Sequence, residues 1–132
     1  GADVLYHASG ASGIGMIEAA TANEKLSIGV DSDQSLTATD EQKPFILTSM
    51  MKRVDNSVYG TIKDFIEGKF EGGYRIFGLE DDGVGYAVNE FNKELISDIQ
   101  AKLDELKDKV IKGEIKVPAD KNEYEEFLKT LE

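Results

Sequence analysis

Residues 2–31 read ADVLYHASGASGIGMIEAATANEKLSIGVD, two apolar runs with a glycine-rich turn between them. The runs ADVLYHA (2–8) and KLSIGVD (25–31) contain many strand-forming residues. Between them, apolar residues at helical spacing predict a helix over 13–23. A strand, a helix and a second strand within about thirty residues form the βαβ unit of a parallel sheet. This stretch therefore predicts an α/β fold.

The rest of the chain continues the alternation of strands and helices. Apolar runs predict strands over 45–52 and 73–79, and a short extended piece after the turn EDDG. Helical periodicity predicts helices over about 54–70, 92–112 and 120–131. The whole chain is consistent with a parallel sheet and flanking helices.

Composition excludes several classes of function. The chain has 132 residues and a net charge of −11, which repels a phosphate backbone and argues against nucleic-acid binding. It contains no cysteine and a single histidine, His7, so thiol chemistry is excluded and a zinc site is not expected. No apolar run approaches the length of a membrane span, and no signal peptide is visible at the start. We expect no metal and no cofactor.

The glycine-rich turn HASGASGIG (7–15) is open to two interpretations. Such a turn between strand and helix can bind phosphate through backbone N–H groups, and Tyr59 with Lys63 forms the Y-x-x-x-K pair of short-chain dehydrogenases. However, Ser9 stands where that family's first glycine would lie, and Tyr59 follows the turn far more closely than in those enzymes. We therefore expect no enzyme activity, and we interpret the glycines as a sharp turn from strand to helix; an NAD(P)-binding enzyme is the alternative.

Four segments and a final motif resemble one protein family. The segments are ADVLYHASGASGIGMIEAA, IGVDSDQ, ILTSMMKRVDNSVY and GLEDDGVGYA, and the motif GEIKVP follows them. In this order they resemble the C-terminal part of the basic-membrane-protein family of ABC-transporter substrate-binding lipoproteins, whose best-known members are purine-nucleoside receptors. The resemblance extends over nearly the whole chain, and IGVDSDQ followed by LTSMMKRVD is its most specific part.

The resemblance implies part of a type I periplasmic-binding-protein fold, in which the chain crosses between two α/β lobes that hold a ligand in their cleft. Residues 1–52 would belong to the second lobe, residues 53–80 to the first, and residues 81–132 to the second again. An upstream portion would complete both lobes and carry the lipid anchor of an extracytoplasmic lipoprotein. The implied partners are a nucleoside-like small molecule and an ABC transporter permease.

Asp31 and Lys52 are the principal candidates for ligand binding. Each ends a predicted strand, and ligands of open parallel sheets bind just beyond the carboxyl ends of the strands. A carboxylate accepts two hydrogen bonds at once, and the resemblance assigns to Asp31 the two ribose hydroxyls. Lys52 offers three donors for a sugar or base oxygen. The alternatives are a turn cap for Asp31 and a solvated surface charge for Lys52.

Tyr6 and Ala11 complete the candidate site. The resemblance places at Tyr6 a ring that stacks on the nucleobase, although a strand tyrosine also packs in cores. The family usually has two successive glycines in its turn, and the second is Ala11 here; a contact through that backbone N–H survives if φ is negative. Other nearby side chains are expected to be structural, namely His7 in the core, Asp33 as a turn cap, and Arg53 with Asp55 as an ion pair.

Further expectations concern alternative functions and the chain studied alone. A regulatory relative of the same fold, which senses a ligand without transporting it, is an alternative to a transport receptor. A solitary chain should expose the apolar face of the helix over 53–70, which favours dimerisation or swapping. It should also bind nucleosides weakly or not at all, because half of the cleft would be absent.

Overall fold

The chain is described by a computed structural model that covers residues 1–130. It forms two compact units, of which the first is Gly1–Asp98 and the second begins at Ile99. In chain order the main elements are β1 (Val4–Tyr6), α1 (Gly13–Ala22), β2 (Leu26–Asp31), β3 (Ile46–Lys52), α2 (Val54–Ile66), β4 (Val84–Tyr86), α3 (Gln100–Ile111) and α4 (Lys121–Leu128). Short 3-10 helices lie at Gly10–Ser12, Gln34–Leu36 and Lys43–Phe45.

The first unit contains a four-stranded sheet in the order β1-β2-β3-β4. β1, β2 and β3 are parallel, whereas β4 runs antiparallel to β3. Tyr6 lies opposite Ile28, and Asp31 lies opposite Met51. The predicted α/β fold with a parallel sheet and flanking helices is confirmed, and the register places the carboxyl ends of β2 and β3 side by side.

Close packing explains the glycine-rich turn between β1 and α1. The helix α1 packs on β2 and buries Ile17 and Ala20. Its first residue, Gly13, lies so close to the ring of His7 that a Cβ atom there would overlap the imidazole. Gly10, just before, has a φ of +56°, a conformation that favours glycine. The glycines thus allow a tight strand-to-helix turn, as the sequence predicted.

The core of the first unit combines aliphatic and hydrogen-bonded polar side chains. Its buried apolar residues are Ile17, Ala20, Ile46, Ala87 and Ile96, and its buried polar residues are His7, Ser27, Ser35, Ser49 and Asn92. Asn92 donates from Nδ2 to the carbonyl oxygens of Leu47 and Ala87, at 3.0 and 2.9 Å. Buried polar groups need such partners, and here they tie the segment after β4 to the sheet.

Residues 73–79, which were predicted as a strand, are irregular in the structure. Gly73 has a φ of +132°, and Tyr74 and Ile76 are almost fully exposed. Within residues 1–130, this segment pairs with none of the four strands of the sheet. A strand needs a hydrogen-bonded neighbour, so this apolar run stays irregular without one.

The predicted helix over 92–112 is also shorter in the structure. Residues 90–99 form consecutive turns, and α3 begins only at Gln100. Within the turns, the Asn89 side-chain oxygen accepts from the backbone N–H groups of Phe91 and Asn92, at 2.8 and 3.2 Å. Asparagine side chains that bind nearby backbone amides compete with helix formation. The other predicted helices form within a few residues of their expected bounds, and residue 131 of the last lies outside the described residues.

Within residues 1–130, no helix combines the length and the apolar character that crossing a membrane requires.

Candidate ligand-binding site

Asp31 and Lys52 form an ion pair at the carboxyl ends of two neighbouring strands. The Oδ1 atom of Asp31 lies 2.9 Å from Nζ of Lys52. Their side chains are 53% and 58% exposed, so both remain accessible to a solute. The structure therefore brings together the two principal candidates, and their role in binding stays a prediction.

The backbone at Asp31 adopts a sparsely populated conformation. Its φ is +69°, and the N–H of the next residue, Ser32, donates to the carbonyl oxygen of Val30 at 2.9 Å. A hydrogen bond across one residue of positive φ defines the rarer, strained form of γ-turn. Apart from glycine, mainly asparagine and aspartate enter this region, and backbone strain is concentrated at functional sites. The strand thus ends in a turn that the surrounding structure must hold in place.

Asp33 caps the short 3-10 helix that follows this turn. Its Oδ1 atom accepts from the backbone N–H and the hydroxyl of Ser35, at 3.1 and 2.7 Å. Its Oδ2 atom accepts from Nδ2 of Asn89 at 2.8 Å. The predicted structural role of Asp33 is confirmed, and the carboxylate also joins the loop after β2 to the segment after β4.

His7 is a core residue, as the sequence predicted. It is 7% exposed, and its Nε2 atom lies 2.9 Å from Oε1 of Gln34. The same Gln34 oxygen accepts from the backbone N–H of Val30 at 2.9 Å. Sequence reasoning missed Gln34, although its place three residues after Asp31 in the quoted motif IGVDSDQ was a possible signal.

Tyr6 and Ala11 lie at the same edge of the sheet but apart from the ion pair. Tyr6 is 56% exposed and lies opposite Ile28, three residues before Asp31 along β2. At about 3.3 Å per residue this separates the two positions by about 10 Å along the strand. Ala11 is exposed in the 3-10 turn, and positive φ occurs at Gly10 and not at Ala11. A ligand contact through the backbone N–H of Ala11 requires a negative φ there, and this condition is met. The contact itself stays a prediction.

Arg53 and Asp55 form the expected local ion pair. Nη2 of Arg53 lies 2.8 Å from Oδ2 of Asp55, and Nε lies 3.0 Å from Oδ1. The hydrogen bond from Arg53 lowers the pKa of Asp55, and the same bond raises the pKa of Arg53. The guanidinium is thereby engaged on its own helix, so Lys52 is the cation that faces Asp31.

Metal-ligand clusters are not found within residues 1–130, since no group of three or more His, Cys, Asp or Glu side chains there is arranged to hold an ion.

Comparison with known families identifies the chain. The model named Bmp, described as an ABC transporter substrate-binding protein, PnrA-like, matches residues 1–121. The chain belongs to this family. Basic membrane protein D from Borreliella burgdorferi (strain JD1) is 38% identical over 136 residues, a match that covers 100% of this chain and 39% of that relative. The chain thus spans about two fifths of the length of this Bmp protein.

Solved structures support the same conclusion. An ABC transporter solute-binding protein from Aeropyrum pernix K1 is 29% identical with a TM-score of 0.63, and the match covers 99% of this chain and 45% of that one. A transcriptional activator of the comK gene from Bacillus halodurans is 28% identical with a TM-score of 0.57, over 76% of this chain and 36% of that one. Bmp proteins are solute-binding proteins, so the expected absence of enzyme activity is confirmed and the dehydrogenase alternative is withdrawn.

Proposed function

We propose that this Bmp chain is part of a receptor that binds a nucleoside-like solute, of the purine nucleoside class, in a cleft between two lobes. The observation that carries the proposal is the Asp31–Lys52 ion pair, 2.9 Å across, at adjacent strand ends. In open α/β sheets this edge is where ligands bind.

The proposed chemistry uses each candidate for one part of a nucleoside. A carboxylate has about four lone-pair sites, so Asp31 retains acceptor capacity for two ribose hydroxyls beside its bond to Lys52. Lys52 donates to a sugar or base oxygen and fixes the carboxylate. Tyr6 offers an exposed ring for stacking on the base, and Ala11 offers a backbone N–H.

A contribution to folding stability does not by itself explain the Asp31–Lys52 ion pair. Exposed ion pairs contribute roughly 0–1 kcal/mol to folding, and Asp31 occupies a strained backbone conformation in addition. An ordinary surface pair of the same type lies at the other end of the same sheet, where Lys25 Nζ is 2.8 Å from Asp3 Oδ1. That pair makes a matched control for the experiment below.

The wider receptor is part of the same proposal. Residues 1–52 and 81–132 belong to its second lobe, and residues 53–80 belong to its first. Further sequence completes the lobes and carries a lipid anchor on the extracytoplasmic side of the cell membrane. Closure of the lobes around the nucleoside presents a distinct shape to an ABC transporter permease, which takes up the solute.

A second candidate is a ligand-sensing regulator of the same fold. The similarity to a structure described as a transcriptional activator, at 28% identity, favours it specifically. The same site would then bind the solute without transport. Sequence adjoining this chain discriminates, because a lipid-anchor signal supports the transport receptor and a DNA-binding domain supports the regulator.

Isothermal titration calorimetry of the intact receptor tests the proposal. Adenosine, guanosine and inosine are titrated into the wild type and into Asp31→Asn, which removes the charge but tolerates the left-handed conformation. Loss of a hydrogen bond to a charged group is worth roughly 1.5–3 kcal/mol, so we expect about 10- to 100-fold weaker binding. Lys52→Met should weaken binding as well. Asp3→Asn, the matched control, should leave the affinity unchanged.

Two results would contradict the assignment. One is a wild-type receptor that binds none of the three nucleosides. The other is an affinity that Asp31→Asn and Asp3→Asn leave equally unchanged.

A further inference from the structure

We propose that Gln34 is a positioning residue that holds Asp31 in its left-handed turn and thereby directs the carboxylate toward the ligand. The proposal rests on the proposed function of Asp31. Gln34 itself need not contact the nucleoside, since its side chain points into the loop and the core.

The side chain of Gln34 replaces a missing strand at the end of β2. β1 ends opposite Ile28, so the last residues of β2 extend beyond it. Two residues further on, the backbone N–H of Val30 donates to Oε1 of Gln34 at 2.9 Å. The ring of His7 donates to the same oxygen, also at 2.9 Å. One amide oxygen therefore binds both the residue before Asp31 and the chain that follows β1.

Gln34 is in turn held from the other side of β2. Its backbone N–H donates to Oγ of Ser49, a fully buried residue of β3, at 3.1 Å. A Cβ atom at Gly29 would lie 2.6 Å from Oε1 of Gln34 and 2.5 Å from Oγ of Ser49. Because glycine leaves that space open, the Gln34 side chain can lie directly on the strand. Contacts with β2, with β3 and with the residue that follows β1 therefore determine its position.

The turn that Gln34 stabilises is needed for the ion pair. Asp31 lies opposite Met51, one residue before Lys52, so simple alternation of side chains places Asp31 and Lys52 on opposite faces of the sheet. The positive φ of Asp31 departs from that alternation, and its carboxylate lies 2.9 Å from Nζ of Lys52. Without the Gln34 bond to Val30, we expect Asp31 to relax toward an extended conformation and turn its carboxylate away.

Nucleoside affinity of the intact receptor provides the first test. Gln34→Ala should weaken binding about tenfold, whereas Gln34→Glu, which keeps an acceptor oxygen at the same reach, should restore binding to near the wild-type value. Gln42→Ala is the matched control, because Oε1 of Gln42 also accepts from a backbone amide, that of Thr39 at 3.0 Å, but away from the turn. It should leave the affinity unchanged.

A double-mutant cycle separates positioning from other roles. If Gln34 acts through Asp31, then Gln34→Ala should weaken binding little further in a receptor that already carries Asp31→Asn. An equal loss in both backgrounds would overturn the proposal, because Gln34 would then act independently of Asp31. A loss of affinity from Gln42→Ala as large as that from Gln34→Ala would overturn it too.

Amide hydrogen exchange of the ligand-free receptor tests the same bond without a nucleoside. Gln34→Ala should accelerate exchange of the Val30 and Ser32 amides at least about tenfold relative to the rest of β2, and Gln42→Ala should not. Unchanged exchange at both amides refutes the positioning role, whatever the receptor binds. A receptor that binds no nucleoside refutes the proposed function alone, and the exchange result then decides the role of Gln34 in the turn.

Discussion

Residues with positive φ play different parts in this chain. Glu24 has a φ of +53° and closes α1, where its N–H donates to the carbonyl of Thr21 at 3.1 Å and the N–H of Lys25 donates to that of Ala20 at 2.9 Å. These two bonds form a Schellman motif, whose left-handed position usually holds glycine. Asp31 instead ends a strand beside a cation. Strain at Glu24 has no evident use, whereas under the proposal above the strain at Asp31 positions its carboxylate beside Lys52.

Glu24→Gly should stabilise the fold. A side chain in the left-handed region costs roughly 1–2 kcal/mol, partly offset by the greater entropy of glycine in the unfolded chain. We expect a net gain of about 1 kcal/mol in the free energy of unfolding, measured by urea denaturation. Glu24→Ala is the control and should give little gain, because alanine keeps the Cβ atom. Equal stabilisation by both variants would show that the side-chain charge, and not the backbone, is responsible.

At the scale of single residues, features that depend on neighbours along the chain were predictable from the sequence. Contacts between residues far apart in the chain were not. Asp31 and Lys52 were predictable because each ends an apolar run, and parallel strands meet at one edge. The bond between Asp33 and Asn89 joins residues 56 positions apart, and no local pattern indicates it. The acceptor role of Gln34 also depends on where β1 ends, which only the register reveals.

At the scale of the secondary-structure elements, predicted strands formed where an adjacent strand was available to pair with. β1, α1 and β2 were predictable because their patterns agree with the packing that each finds. Residues 73–79 have a strand-like sequence, but in the part of the chain that the structure describes they pair with no strand. The helix α2 formed as predicted, yet its apolar residues Val54, Val58, Ile62, Phe65 and Ile66 are each more than half exposed. Periodicity therefore predicted the element, and the expectation that its apolar face would be exposed is confirmed.

The helix α3 should show a pH-sensitive carboxylate. Glu105 accepts from Nζ of Lys109 at 2.6 Å and from Nζ of Lys102 at 2.9 Å. Chiefly because of the bond to Lys109, and then that to Lys102, the pKa of Glu105 falls from 4.5 to about 2. A carboxyl whose pKa is lowered on folding stabilises the helix above pH 4.5, and this contribution is lost as the pH falls from about 4.5 to about 2. The side chains of Glu105 and the two lysines are 39–62% exposed, so salt should weaken the effect.

An NMR titration of the Glu105 side chain measures this directly. We expect a midpoint below 4.5 in the wild type and a higher midpoint in Lys109→Met. Lys107→Met, on the same helix, is the control and should change the midpoint less. A wild-type midpoint at the ordinary value would mean that the two lysine contacts are not maintained in solution.

At the scale of the whole molecule, the candidate ligand-binding groups of this chain are Tyr6, Ala11, Asp31 and Lys52. The match to Basic membrane protein D covers 39% of that relative. Under the proposed two-lobe receptor, a ligand at Asp31 would contact only part of its binding surface here. Sites of this kind bury most of a small ligand, and affinity depends on that enclosure.

The 132-residue chain should therefore bind nucleosides far more weakly than the intact receptor. We expect at least a 100-fold difference, roughly 2.7 kcal/mol, in parallel calorimetric titrations of the two proteins. Asp31→Asn in the short chain is the control. Any weak nucleoside binding that this substitution leaves unchanged does not depend on Asp31. Equal affinity of the two proteins would contradict the division of the cleft between lobes.

The exposed face of α2 should make the isolated chain self-associate. A groove of about 330 Å³ between this helix and Phe77 is lined by Ser57, Val58, Thr61 and Ile62, and its exposed surface is mostly apolar. Contiguous exposed apolar surface favours association, although the net charge of −11 opposes it, so association should strengthen as salt screens the repulsion.

Sedimentation velocity should show dimers that increase with concentration and with salt. Val58→Ser combined with Ile62→Ser should shift the chain toward monomer. Lys63→Ser on the same helix is the control and should not. Dimers that survive the double substitution would show that the dimer contact lies elsewhere.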